Sequence, residues 1–141
     1  MATCVFYDQF MEDLGAELHD LANDNLFIAL TNTALTVATD AVLADITEIA
    51  DGNGYLTGTN GAVGSVTWSE TAGTATLAGD DVVFTASGGA IAQFQYAVLY
   101  NGSGASDPLI CYWDYGSAVD VAVGETFTVD FGASILTVAK T

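Results

Sequence analysis

The 141-residue chain has one Lys or Arg in total, Lys140, against 18 Asp plus Glu, for a formal net charge of −17. Charged residues make only 13% of the chain, about half the usual content, so the anomaly is a lack of bases and not a surplus of acids. Exposed ion pairs contribute about 0–1 kcal/mol each, and a chain that forgoes them loses little stability. The longer-range effect is larger. An anionic surface repels phosphates and acidic lipid headgroups, which sets aside direct binding to nucleic acid or to a membrane surface. Long hydrophobic runs are missing too: no stretch of about 18 uncharged apolar residues is present to span a bilayer. Met1-Ala2-Thr3-Cys4 carries neither a basic stretch nor a cleavage pattern, so no secretory leader is expected.

Histidine, proline and cysteine are also scarce, at one, one and two residues. A lone histidine, His19, leaves little scope for a Ser-His-acid centre, which needs base, nucleophile and orienting group to converge. At the end of a helical segment it is expected to favour the helix dipole or face solvent. Cys4 and Cys111 are far apart in sequence and have no CxxC or histidine neighbour. The expectation is two buried, reduced thiols, no zinc and no cofactor.

Apolar residues are abundant. Hydrophobic residues make 51% of the chain and glycine adds 15 more positions, above the roughly 45–50% of an average soluble domain. Residues 5–22 read as an amphipathic helix, with Phe6, Phe10, Leu14, Leu18 and Leu21 on one stripe and Thr3 as N-cap. From Leu26 onward the pattern is β. Leu26–Thr31 is apolar on both faces, the Thr-rich stretch to Thr39 reads as a loop or arm, and Asp40 opens a short helix or turn. Further strands are expected near 55–59, 64–69, 74–78, 81–86, 91–100, 109–115, 118–123, 125–131 and 134–139. Phe94, Tyr96, Val98 and Tyr100 share one face by alternation. Gly88-Gly89, Asn101-Gly102, Gly116, Gly124 and Gly132 mark tight reversals, and no long helix separates the strands, so parallel βαβ units are not expected. The sequence therefore predicts one mainly β domain over 1–141: an antiparallel β-sandwich or jelly roll over about 25–140, preceded by one helix.

Catalytic patterns are weak. Asp114, within Cys111-Tyr112-Trp113-Asp114-Tyr115, is the carboxylate best placed among aromatics to line a sugar site, but glycosidase chemistry needs a second, facing acid. The same residues alternate as a strand buried on both sides would. Asp51-Gly52-Asn53-Gly54 starts like a calcium loop but lacks the sixth-position glycine and twelfth-position glutamate, so a turn is the better reading. The glycine pairs lack the lysine of a phosphate loop. No catalytic, cofactor or metal residue is assigned.

Several segments together carry a resemblance. Leu26-Phe27-Ile28-Ala29-Leu30-Thr31-Asn32-Thr33 is followed by Leu43-Ala44-Asp45-Ile46-Thr47-Glu48-Ile49 and Gly52-Asn53-Gly54-Tyr55. Then come Gln95–Asn101, Asp107-Pro108-Leu109-Ile110, Trp113–Gly116 and Gly124–Phe131. This series resembles a family of small virion structural proteins of tailed bacteriophages, across nearly the whole chain. The resemblance implies a non-enzymatic particle component, made in the host cytoplasm and placed on the outer capsid surface as a decoration or cement protein. Its expected partners are the major capsid protein and further copies of itself. The expected contact residues are Ala2, Thr3, Val5, Phe6 and Tyr7 of the N-terminal segment with Thr33, Leu35 and Val37 of the arm. The alternative is a tail-associated or fibre module that binds a host-surface glycan or another tail protein through the Trp113–Tyr115 strand.

Overall fold

A computed structural model describes residues 4–141; Ala2 and Thr3, including the expected cap at Thr3, lie outside the described residues. The described residues form nine strands, all paired antiparallel, and one short α-helix. In order these are β1 (Val5–Phe6), α1 (Asp8–Gly15), β2 (Leu26–Thr31), β3 (Thr67–Thr71), β4 (Thr74–Ala78), β5 (Val82–Thr85), β6 (Ile91–Asn101), β7 (Leu109–Val121), β8 (Thr126–Val129) and β9 (Leu136–Ala139). The sheets run β1-β7-β6-β2, β3-β4-β9 and β5-β8. This is a mainly β fold consistent with a sandwich, as the alternating patterns predict.

The main core lies on one face of the four-stranded sheet. Ile28, Leu30, Ala97, Leu99, Cys111 and Trp113 pack there with Leu77, Phe84, Val129, Phe131 and Leu136 of the smaller sheets. Aromatic pairs knit the layers, with Trp113 against Phe131 at 5.4 Å and Phe94 edge-on to Phe127 at 4.8 Å. Each fully buried large side chain contributes about 1.5–3 kcal/mol through the area it removes from water.

The helix is shorter than the 5–22 span that the stripe predicts. Val5–Phe6 instead pairs with Tyr112 and Cys111 as an edge strand, and the helix ends at Gly15. Glu17 turns left-handed at φ 63°. That reversal breaks the helical phase: Leu18 is exposed, whereas His19 and Leu21 turn inward. The expected strand at 55–59 is a turn, and the one near 64 begins only at Thr67. The two strands expected at 109–115 and 118–123 are one strand. Gly116, at φ 82°, accommodates a local distortion there instead of a reversal. A register shift between Phe94 and Tyr96 sends Phe94 into the main core, whereas Val98 and Tyr100 face the other way.

The margins of the sheets are handled differently. Beside β2, Ile28 N donates to Gly61 O, Val63 N to Leu26 O and Ile49 N to Leu30 O, so loop backbone occupies that edge. The β3–β4 hairpin turns through Ala72 and Gly73, both left-handed, at φ 53° and 86°. There Glu70 accepts the Gly73 N–H, and Lys140 N donates to Gly73 O.

Candidate functional site

The second face of the four-stranded sheet has no strand layer over it among the described residues; irregular chain from 33–48 covers it. Tyr7, Ala29, Val98, Tyr100 and Leu109 are buried there, and Phe27, Leu35, Val37, Leu43, Ile46 and Tyr112 are half-buried on top of them. Phe27 stacks on Tyr100 with centroids 5.6 Å apart. The covering chain holds its shape by using acids as acceptors for backbone N–H groups. Asp40 accepts from Thr36 N at 2.7 Å, and Asp45 accepts from Ala41 N and Val42 N at 2.9 and 3.0 Å, closing a short 3-10 turn over Leu43–Asp45. Those bonds favour the ionised form and hold the Asp45 carboxyl below its ordinary range.

Where this chain meets the 104–109 loop, an open recess of about 470 Å³ forms, lined by Leu43, Ala44, Ile46, Glu48, Ser106 and Asp107. Ser106 and Asp107 are consecutive left-handed residues at φ 65° and 52°, a conformation that is strained for side chains other than glycine. The loop is tied across by Leu43 N donating to Asp107 O at 2.9 Å and Leu109 N donating to Ala41 O at 2.9 Å. On the opposite wall, buried Tyr55 donates its hydroxyl to Glu48 Oε1 at 2.6 Å and accepts the Leu30 N–H at 3.1 Å. Burial pushes the Glu48 carboxyl up. Its bonds from Tyr55 and Thr57 oppose the rise, and the charges of Asp51 and Asp107 add to it. Tyr100 is pushed up to about 12 by burial first, then by Glu48 and Asp107. The recess thus combines two carboxylates with aliphatic walls.

Tyr7 of the first expected contact segment lies in the cluster on which Leu35 and Val37 of the second pack, and the neighbouring Asp8 N donates to Val37 O at 3.1 Å. Val5 and Thr33 are exposed, and Phe6, Leu35 and Val37 are half-buried. Tyr7 is the correction. It is 0% exposed and belongs to the core beneath this face, so it supports the surface without forming it. Glu48 and Asp107 were not singled out from sequence as site residues, because loop closure over some sixty positions brings them together and no local motif marks it.

The remaining candidates resolve into structural roles. His19 is buried, not solvent-facing. Its Nδ1 accepts from Asn101 Nδ2 at 3.2 Å, since the Asn101 carbonyl oxygen is already bonded by Ser103 N and Gly104 N. Asp114 is exposed, accepts from Gln95 at 2.9 Å and Gly116 N at 2.7 Å, and is held below its ordinary range by those bonds. An acid kept ionised in this way is unsuited to donate a proton to a leaving group. Trp113 is 3% exposed and offers no sugar-stacking surface. The 51–54 segment is a turn, closed by reciprocal Gly52–Tyr55 backbone bonds, and Asp51 accepts from Thr57. Among the described residues no three His, Cys, Asp or Glu side chains converge to hold a metal, and no helix is long and apolar enough to cross a membrane. Cys111 is buried as expected; Cys4 is half-buried, and both are free thiols. Comparison with protein-family models, curated proteins and solved structures returned no match.

Proposed function

We propose that the chain is a non-enzymatic structural protein of a bacteriophage virion, a decoration or cement protein that binds the outer capsid shell and bridges neighbouring subunits. One observation carries the reading: a sheet face roofed by loops, with Val5, Leu35 and Val37 exposed or half-buried on it and Leu43 and Ile46 lining an acidic recess. Partly exposed apolar groups rimmed by polar ones suit a protein contact. The charge of −17 suits a neutral or basic protein surface and disfavours a position against packaged DNA. Within this reading the recess receives a lysine or arginine side chain of the major capsid protein. The stem lies on Leu43 and Ile46, and the charge sits at Glu48 and Asp107. Many weak contacts, repeated by shell symmetry and joined through homo-oligomers, reinforce the particle by avidity.

The test is to add purified chain to expanded, undecorated shells. Saturable co-sedimentation and a higher shell melting temperature are expected. Glu48→Gln with Asp107→Asn should weaken binding roughly tenfold or more, with the variant's own unfolding midpoint unchanged or raised, because one desolvated charge is relieved. If the wild-type chain neither co-sediments nor shifts shell melting, the cement reading fails.

A further inference from the structure

The strand β1 brings together two thiols that are 107 positions apart. Phe6 pairs with Cys111 and Val5 with Tyr112, so Cys4, one residue before the strand, falls diagonally across from Cys111. Cys111 is 0% exposed, and Cys4 packs on the core cluster that contains it. The ladder places both side chains on the same face of the β1–β7 pair, in one packed cluster. Their accessibility is unequal. Cys4 lines an open recess of about 260 Å³ with Phe6, Ser134, Ile135, Leu136 and Thr137. A small reagent therefore meets Cys4 first and cannot reach Cys111 directly.

We infer that Cys4 and Cys111 form a reactive thiol pair that takes small disulfides as oxidant, with Cys4 as the entry thiol and Cys111 as the resolving thiol. In the first step the Cys4 thiolate attacks one sulfur of the reagent disulfide, forming a mixed disulfide and releasing one reagent thiolate. Cys111 then gives its proton to solvent, attacks the Cys4 sulfur and releases the second thiolate. One reagent disulfide gains two electrons and becomes two thiols. The two protein thiols lose those electrons and become one S–S bond. A bond of about 2 Å requires the sulfurs to close on each other. Cys4 can supply that movement, since it lies outside the strand ladder and β1 is only two residues long. The product pins the N-terminal segment to β7 and closes a loop of about a hundred residues, a constraint that chiefly restricts the unfolded chain. Burial, with Cys4 as a further cause, pushes the Cys111 thiol well above its ordinary range. The second step therefore speeds up as pH rises.

The experiment incubates the folded full-length chain with oxidised glutathione and follows intact mass under denaturing, non-reducing conditions. The wild type should pass through a single glutathione adduct and end with the loss of two hydrogens as a monomer, with a raised melting temperature that dithiothreitol reverses. Cys4→Ser should stay unmodified while folded, because its remaining thiol is buried. Cys111→Ala should halt at a stable adduct on Cys4; if that variant does not fold, the wild-type time course and Cys4→Ser still decide the matter. A wild-type adduct that never resolves, a covalent dimer as the sole product, or modification of folded Cys4→Ser would overturn the assignment.

Discussion

Tyr55 shows how much one hydroxyl can hold. It accepts the Leu30 N–H at the margin of β2 and donates to Glu48, joining the sheet edge to the wall of the recess. Tyr55→Phe leaves that backbone N–H without its side-chain acceptor and should cost about 1–3 kcal/mol in denaturant unfolding. Hydrogen exchange at Leu30 should quicken as well. Unchanged stability and exchange would show that the bond is dispensable. Gly54, nearby, is needed for both conformation and space: it sits at φ +103°, and a Cβ there would meet Thr85 O at 1.9 Å. Gly54→Ala should therefore cost about 2 kcal/mol or more, read as a lower unfolding midpoint. The acids make sense at this scale too. Asp24, Asp40, Asp45, Asp81 and Asp130 each accept a backbone N–H at a turn or strand end. Their partners are main-chain dipoles, so the loops keep their shape with almost no bases in the chain.

Among the elements, the segment after α1 is fastened to the end of β6 by a buried polar knot. Asn101, 0% exposed, donates to Leu18 O, His19 Nδ1 and Asp24. Burial lowers the His19 pKa from 6.5, against the upward pull of Asp13 and Asp24. The unfolded chain therefore binds the proton first as pH falls below about 6.5, so this contribution is complete above that pH and is lost on going down. Glu48, raised from 4.5, acts in the opposite sense. Asp45 and Asp114, lowered from 3.8, lose their contribution only at more acid pH. Between pH 6.5 and 4.5, His19→Gln should flatten the decline of the unfolding midpoint that the wild type shows; identical slopes would refute the assignment. Much at this scale was legible in the sequence. Phe127, Val129 and Phe131 alternate with exposed Thr126, Thr128 and Asp130 as their spacing predicts. The failures have local causes. The Phe10–Leu21 stripe continued past Gly15 on paper, but the left-handed Glu17 reset its phase, and the shift after Phe94 reversed a face that strict alternation held constant. The recess was not legible, because Glu48 and Asp107 meet only through tertiary closure of two irregular loops.

For the molecule as a whole, a net charge of −17 with one Lys or Arg against 18 acids means self-repulsion in the native state that a single base can scarcely offset. Screening shortens that repulsion from about 10 Å at 0.1 M salt to about 3 Å at 1 M. Raising sodium chloride over this range should lift the thermal midpoint by several degrees. A flat or falling midpoint would mean that charge repulsion does not limit the stability of the native state. The same salt series on shell binding should run the other way if a cationic partner side chain enters the recess, since screening weakens that attraction. Opposite signs in two assays on one protein would separate internal repulsion from external attraction.

The Ala72–Gly73 corner carries one more consequence. Lys140, fixed there by its backbone bond to Gly73, is the only lysine side chain in the chain. An amine-directed fluorophore coupled to its Nζ, with the α-amine blocked, would report on a single known site. Quenching of that dye on particles would reveal whether the hairpin tip points toward the shell or out into the medium. Trypsin, meanwhile, has a single cleavage site within these 141 residues, after Lys140, however far the fold opens.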